Sequence, residues 1–276
     1  MKLTYLGTAA AEGWPAVFCN CDYCLKAKEL GGKNIRTRSQ SLVNDDLLIE
    51  FNGDTYAHAL AHGIDLTKIK FCFITHSHLD HFQPTDLVFR TDGVYAHKIT
   101  VPTLQLFGSK DVIARYEKYR NAVSDEPLPQ MEIHEVFAYQ TVKAGDYEVT
   151  PLPANHAMEE NAFVYLIKGD KTLLYLHDTG KPFPEVYDYL EKNNIHADLI
   201  SYDCTYVALP SGERHMGLDT VPEVMARLTE IGVADESTTH VVNHFSHNGK
   251  LLHEELCDAA GKIGCLCSYD GMVVEF

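Results

Sequence analysis

The sequence lacks the features that mark membrane-spanning, secreted or repetitive chains. No stretch approaches the roughly 20 consecutive apolar residues that a membrane-spanning helix needs. The opening residues MKLTYLGTAAAEG lack the long apolar core of a secretory signal peptide, and low-complexity linkers and long repeats are absent. We therefore expect a soluble, cytoplasmic protein in which residues 1–276 fold as one domain, with no membrane partner.

Positive charge is scarce as well. The chain has 23 Lys and Arg against 39 Asp and Glu, which gives a formal net charge of −16. Long nucleic acids bind mainly through cationic side chains that neutralise phosphates, so we expect no long nucleic-acid partner. A local basic pocket for one small anion stays compatible with this charge. The oligomeric state is left open, with a homodimer as one option.

Short β-type runs alternate with helical stretches, which predicts a layered α/β (α+β) architecture. The predicted strands are KLTYL, DLLIEF, IKFCFI, TLQLF, MEIHEVF, YEVTPL, AFVYLI, TLLYL, DLISYD, THVVNHF and MVVEF. The predicted helices are Asp22–Leu30, Ser109–Val123, Pro184–Asn193, Asp219–Ile231 and Leu251–Lys262, the fourth with Asp219 as its cap. Segments 90–98 and 124–130 are predicted surface loops.

Four potential metal ligands follow the apolar strand in F-C-F-I-T-H-S-H-L-D-H: His76, His78, Asp80 and His81. Imidazoles and carboxylates at this density suit Zn²⁺, Mn²⁺ or Fe²⁺ better than Ca²⁺, which prefers oxygen ligands. One turn cannot supply the ligands of two ions. Three further candidates end later β-type runs: His156, Asp178 and His244.

A second constellation is C-N-C-D-Y-C, which contains Cys19, Cys21 and Cys24. Three thiols at this spacing supply most of a tetrahedral structural Zn²⁺ site, and His247, three residues after His244, is the natural fourth ligand. A redox cysteine pair is the alternative. The remaining five thiols stand among apolar residues and are predicted to be small buried side chains: Cys72, Cys204, Cys257, Cys265 and Cys267.

The order H-x-H-x-D-H, then His, Asp and His, resembles the metallo-β-lactamase superfamily across nearly the whole chain. The resemblance implies a four-layer αββα sandwich with a two-metal site at one edge of its sheets. It further implies that one metal is held by His76, His78 and His156 and the other by Asp80, His81 and His244, with Asp178 bridging them.

The cysteine cluster makes the resemblance specific to one family within the superfamily. Together with the segments T-P-L-P-A-N-H and R-H-M-G-L-D-T-V, it is similar to the PhnP-type phosphodiesterase family of the carbon–phosphorus lyase pathway. This likeness implies a hydrolase with two catalytic divalent metals, Mn²⁺ or Zn²⁺, and one structural Zn²⁺. The implied substrate is a small cyclic ribosyl or nucleotide phosphodiester, attacked by a metal-bridging hydroxide.

The same likeness assigns catalytic roles. Asp80 and Asp178 would orient the hydroxide, and His215 would give a proton to the departing alkoxide. Asp219 or Thr220 would orient the ring of His215, although a helix cap explains Asp219 equally well. Arg36 and Arg38 could supply a phosphate contact, although solvated turn residues are the default interpretation. One departure is Glu50, which stands where many relatives have Asp.

Three other functions remain open at this stage. They are tRNA 3′-end processing, hydrolysis of a lactone, lactam or thioester, and metal binding without catalysis. Superfamily resemblance alone does not choose among them, because one fold supports many reactions.

Overall fold

The computed structural model of the protein describes residues 1–124, 128 and 130–276. The strands, numbered along the chain, are β1 (Lys2–Gly7), β2 (Gln40–Val43), β3 (Leu47–Ile49), β4 (Phe71–Phe73), β5 (Leu104–Gly108), β6 (Met131–Glu135), β7 (Val142–Ala144), β8 (Tyr147–Pro153), β9 (Phe163–Lys168), β10 (Thr172–Leu176), β11 (Leu199–Asp203), β12 (Thr239–Asn243), β13 (Leu266–Cys267) and β14 (Met272–Glu275). The α-helices are α1 (Asp22–Leu30), α2 (Thr55–His62), α3 (Lys110–Asn121), α4 (Pro184–Lys192), α5 (Val221–Glu230) and α6 (His253–Lys262).

The strands form two seven-stranded sheets. The first has the order β14-β1-β2-β3-β4-β5-β6, and the second has the order β13-β12-β11-β10-β9-β8-β7. Strands β3 to β6 are parallel in the first sheet, and strands β10 to β13 are parallel in the second. The carboxyl ends of parallel strands gather at one edge of each sheet, which is where open α/β sheets place their binding sites.

Apolar side chains from both sheets fill the space between them, including Phe73, Tyr165 and Leu173. A second cluster joins the outer face of the second sheet to α1, α4, α5 and α6, with Val186, Val224 and Leu256 among its members. A third cluster packs α3 and the 3-10 helix Pro84–Arg90 on the first sheet. The predicted four-layer αββα sandwich is confirmed.

The sequence did not predict helix α2 or strand β2, because their buried faces are polar. Helix α2 buries Thr55 and His58 and exposes Tyr56 (66%) and Leu60 (68%), so its apolar residues do not trace a buried stripe. Strand β2 begins with the buried Gln40 and Ser41. The short strands β7 and β13 were also missed.

The predicted cap of α5 was wrong. The helix begins at Val221 with Thr220 at the N-cap position, and no side chain there accepts a capping hydrogen bond. Asp219 instead accepts hydrogen bonds from the backbone N–H and the hydroxyl of Ser211.

The predicted loop 90–98 begins at the last residue of the 3-10 helix, Arg90, and continues as turns with an isolated β-bridge between Asp92 and Ala96. The predicted loop 124–130 includes Asp125, Glu126, Pro127 and Pro129, which lie outside the described residues. In the part of the chain that the structure describes, no helix is long and apolar enough to cross a membrane.

The inter-sheet core gives a stability prediction. Leu173 is fully buried on β10 between Ile167 and Leu199, so Leu173→Ala should lower the free energy of unfolding by about 2–5 kcal/mol, from lost burial and the cavity left behind. Leu60→Ala, the same change on the exposed face of α2, should shift it by less than about 0.5 kcal/mol. Urea unfolding followed by circular dichroism compares the two, and equal losses would contradict this packing.

Candidate active site and metal clusters

The site lies where several strands of the two sheets end. After β4 the backbone turns tightly, with the carbonyl of His78 accepting hydrogen bonds from the N–H groups of His81 (3.1 Å) and Phe82 (2.7 Å). This turn presents His76, His78, Asp80 and His81 together. Strands β8, β10 and β12 end just before the other predicted ligands, so the buried sheets hold all these side chains at one edge.

The first cluster contains His76, His78, His156 and Asp178. Nε2 of His76 lies 2.9 Å from Nδ1 of His78, and Nε2 of His156 lies 3.4 Å from the same Nδ1. The carboxylate atom Oδ2 of Asp178 lies 3.2 Å from Nε2 of His76 and 3.3 Å from Nε2 of His156. The ligand atoms of this set all lie within 4.8 Å of one another.

The second cluster contains Asp80, His81, Asp178 and His244, again with ligand atoms within 4.8 Å of one another. Nε2 of His81 lies 3.2 Å from Oδ2 of Asp80 and 3.0 Å from Oδ2 of Asp178. Oδ2 of Asp178 therefore faces both clusters, as a bridging carboxylate would.

Thr75 and Glu50 fix the orientation of His76. The Thr75 hydroxyl donates to Oε1 of Glu50 at 2.6 Å, so its oxygen accepts from Nδ1–H of His76 at 2.9 Å. The proton on Nδ1 leaves the Nε2 lone pair directed into the cluster. Glu50 also lies 3.2 Å from Nδ1 of His81, so it supports two imidazoles.

Thr205 and Asp203 serve His244 in the same way. The Thr205 hydroxyl donates to Oδ2 of Asp203 at 3.0 Å and accepts from Nδ1–H of His244 at 2.8 Å. Nε2 of His244 is buried and, among the described residues, makes no hydrogen bond. A buried nitrogen with a free lone pair, beside carboxylates, is what a bound cation would satisfy.

The electrostatics of the site also fit divalent metals. Burial, together with the neighbouring His81, lowers the pKa of His76 to about 3, which keeps that imidazole neutral and able to ligate. Burial lowers the pKa of His81, but the carboxylates of Asp80 and Glu50 outweigh it and raise that pKa well above its ordinary value. The second cluster therefore attracts positive charge, and imidazole and carboxylate are ligands that Zn²⁺ and Mn²⁺ accept.

His215 stands beside these clusters, held by two carboxylates. Its Nδ1 lies 3.1 Å from Oδ1 of Asp178 and 3.4 Å from Oδ2 of Asp203. Burial lowers the pKa of His215, but the hydrogen bond and charge of Asp203, together with Asp178, raise it to about 9. Asp219 and Thr220, the predicted orienting residues, bond instead to Ser211. The sequence pointed to the wrong carboxylate, because Asp203 approaches from the end of β11.

The cysteine cluster lies on α1 and the segment before it. Nδ1 of His247 lies 3.7 Å from Sγ of Cys21 and 3.4 Å from Sγ of Cys24, and with Cys19 the four ligand atoms lie within 4.8 Å of one another. Hydrogen bonds from the Cys24 backbone and from His247 lower the pKa of the Cys21 thiol to about 6. A thiolate among further thiols and an imidazole suits tetrahedral Zn²⁺.

The two arginines with predicted phosphate contacts lie in different settings. Arg36 is buried, and its NH1 donates to Thr8 Oγ1 and to the Ser268 carbonyl, so it is not a solvated turn residue and is not free to contact a phosphate. Arg38 pairs with Asp54 at 3.0 Å and lines a cavity together with Asp80. Arg38 therefore stays a candidate for contact with an anionic ligand.

Sequence reasoning missed the roles of Asp203 and Glu50. Asp203 is the last residue of a β-type run. Asp178 was predicted because it stands at the end of such a run, so the same rule would have found Asp203. Glu50 was noted only as a departure from relatives, although it also follows a strand directly.

Comparison with known proteins agrees with this geometry. The beta-lactamase superfamily domain matches residues 49–241 of the chain. A UPF0173 protein of Pyrococcus abyssi (strain GE5 / Orsay) is 28% identical over 114 residues, which cover 41% of this chain and 45% of that protein. One of Pyrococcus furiosus is 26% identical over 112 residues, covering 41% and 44%. The chain thus matches less than half the length of these curated relatives.

Solved structures share the fold over the full length. A diphosphatase of the PhnP family superposes with a TM-score of 0.76 at 21% identity, covering 100% of this chain and 97% of that one. The short form of human tRNase Z has a TM-score of 0.67 at 16% identity, and unliganded yeast PDE1 one of 0.66 at 12%, each covering 100% of this chain and 99% of the other. The chain belongs to the beta-lactamase superfamily and has the metallo-β-lactamase fold, as the sequence predicted.

Metal analysis tests the assignment of ligands to the clusters. Asp178→Ala removes the carboxylate shared by the two histidine clusters, so the metal lost should come mainly from them, and the cysteine cluster should keep most of its metal. Cys24→Ser should instead lower the metal content of the cysteine cluster most. Asp170→Ala, at a largely exposed carboxylate, is the control and should keep the wild-type content. Elemental analysis after desalting reads the result, and full metal content in Asp178→Ala would contradict these assignments.

Proposed function

We propose that the protein is a dinuclear metal-dependent phosphodiesterase whose substrate is a small cyclic ribosyl or nucleotide phosphodiester. One observation carries the proposal: Oδ2 of Asp178 faces both ligand clusters, while its Oδ1 lies 3.1 Å from His215. Two candidate metal clusters and an imidazole thus adjoin a single carboxylate.

The chain's ligands divide between two ions. One would be held by His76, His78 and His156, the other by Asp80, His81 and His244, with Asp178 between them. When bound, two such ions lower the pKa of a water near them and neutralise the charge of a phosphodiester. Glu50 and Asp203, through Thr75 and Thr205, keep the imidazoles in the ligating tautomer.

His215 supplies the proton for the departing oxygen in this proposal. Its Nδ1 faces Asp178 and Asp203, which leaves Nε2 to face the leaving group. The raised pKa, about 9, keeps the ring protonated near neutral pH. A protonated imidazole assists most where the leaving group is a poor one, such as the alkoxide of a sugar.

Cationic side chains near the site favour an anionic substrate. Arg38 shares a cavity with Asp80, and Arg214 donates to the backbone carbonyl of His156 at 3.3 Å. The likeness to a PhnP-family diphosphatase supports phosphate chemistry. The likeness to tRNase Z raises tRNA processing as a second candidate, but a net charge of −16 opposes a long polyanion.

The role of His215 can be tested through leaving groups. His215→Ala should lower kcat by about 10²–10⁴-fold on a diester that releases an alkoxide. The loss should be much smaller on bis(p-nitrophenyl) phosphate, because p-nitrophenolate needs no proton to depart. His196→Ala, at an exposed histidine paired with Asp235, is the matched control. Equal losses on both substrates would remove His215 from the acid role.

A substrate panel tests the reaction class. The Mn²⁺- or Zn²⁺-loaded protein should hydrolyse bis(p-nitrophenyl) phosphate and 2′,3′-cyclic nucleotides, and Asp80→Ala should abolish this activity because it removes a ligand of the second cluster. Turnover of only a lactone or thioester would assign carbonyl chemistry instead. Cleavage of a tRNA precursor with a steep dependence on salt would favour the tRNA-processing function. If the fully metal-loaded protein hydrolyses none of these substrates, metal binding without catalysis is the remaining function.

A further inference from the structure

A third group of metal-ligand side chains lies away from both sites described above. His253 and Cys257 are one turn apart on α6, and Cys267 lies on β13 behind them, with their ligand atoms within 4.8 Å of one another. The sequence predicted Cys257 to be a small buried side chain. Its side chain is only partly buried, and the charges of Arg36, Lys33 and Glu254 act on it.

The hydrogen bonds of His253 argue against a metal here. NH2 of Arg36 lies 3.1 Å from Nδ1 of His253, and because a guanidinium can only donate, Nδ1 must accept. Burial, together with the charges of Arg36 and Lys33, lowers the pKa of His253, so the ring is neutral. A neutral imidazole has one lone pair, which Arg36 already uses, and the ring proton is on Nε2.

The position of the sulfur agrees with this reading. Sγ of Cys257 lies 3.5 Å from Nε2 of His253 and 3.9 Å from Nδ1. Since the sulfur is nearly equidistant from the two nitrogens, it stands beside the ring and off the lone-pair axis of either one. A metal ion bound to the lone pair of either nitrogen would therefore not also bind the sulfur of Cys257.

The two thiols of the group differ in acidity. The neighbouring thiol of Cys267 lowers the pKa of Cys257 to about 7; burial opposes this shift, the charges of Arg36 and Lys33 add to it, and that of Glu254 reduces it. The neighbouring thiol of Cys257, together with burial, raises the pKa of Cys267. Cys257 therefore ionises first, and Cys267 keeps its proton, which its Sγ directs to the Ser268 carbonyl at 3.5 Å.

The two thiols also differ in exposure to solvent. Cys257 is partly buried, whereas Cys267 is 7% exposed and lies 3.7 Å from NH2 of Arg36. A partly exposed thiol that ionises readily, with a second thiol whose sulfur lies within 4.8 Å, is the arrangement that favours oxidation over inert packing.

We propose that Cys257 and Cys267 are an oxidation site that hydrogen peroxide converts to a reversible disulfide between α6 and β13. The Cys257 thiolate attacks one peroxide oxygen, the O–O bond breaks, and a sulfenic acid forms at Cys257. The departing hydroxide takes up the proton that Cys257 had released to solvent and leaves as the first water. The sulfur of Cys267 then displaces the sulfenic hydroxyl, its proton leaves with that group as the second water, and the S–S bond forms. Two electrons pass from the two sulfurs to the peroxide.

The test uses the full-length, metal-loaded, reduced protein. It is treated with one equivalent of hydrogen peroxide, its free thiols are blocked, and its peptides are mapped by mass spectrometry before and after reduction with dithiothreitol. We expect a Cys257–Cys267 linkage and the loss of two free thiols per chain, both reversed by the reductant. Absence of this linkage, with Cys257 still a free thiol, would overturn the proposal.

Single variants separate the two steps. Cys267→Ser should stop at the sulfenic acid, which dimedone traps on Cys257, and Cys257→Ser should abolish oxidation of Cys267. Cys265→Ser, at a neighbouring buried thiol whose Sγ lies 3.5 Å from Sδ of Met225, is the matched control and should form the linkage normally.

Metal content supplies a measurement that does not depend on peroxide. Cys257→Ser should keep the metal content of the wild type, because this group holds no ion. Loss of one zinc ion per chain in that variant, with the Cys19, Cys21 and Cys24 cluster still loaded, would make this a metal site and overturn the proposal.

Discussion

The buried carboxylate of Asp178 is the interaction on which the rest of the site depends. Burial raises the pKa of Asp178, but the surrounding imidazoles of His244, His76 and His81 outweigh burial and hold that pKa well below its ordinary value. A buried anion of this kind needs partners on every side. The sheets supply these partners from the ends of separate strands. The fold itself therefore places the groups that stabilise the charge of Asp178.

Backbone strain accumulates at the same place. Glu50 (φ 73°), Asp178 (φ 51°) and His244 (φ 64°) have left-handed conformations, although none of them is glycine. Glu50 and His244 directly follow strands β3 and β12, and Asp178 follows β10 after one residue, where the chain must turn sharply to aim each side chain across the sheet edge. Such conformations cost about 1–3 kcal/mol each and persist only where the surrounding structure enforces them. The buried strands before these residues provide that enforcement.

The sequence could predict which candidate ligands lie together because they are polar residues at the ends of apolar runs, and a strand end is visible as a change in pattern. It could predict the strands and helices with apolar buried faces for the same reason. Helix α2 and strand β2 were missed because their buried positions are Thr55, His58, Gln40 and Ser41, which look like surface residues. The buried setting of Arg36 was missed because its partners are Thr8, His253 and Ser268, which only the folded chain brings together.

The end of β12 has a further consequence. Within five residues, Asn243 to His247, the chain provides His244 to one metal cluster and His247 to the cysteine cluster. An ion in either cluster would order the short segment that the other needs, so occupancy of one would strengthen the other. Thermodynamic reciprocity makes that strengthening equal in both directions. The affinity of the histidine clusters for metal would then depend on zinc held by three cysteines that never contact a substrate.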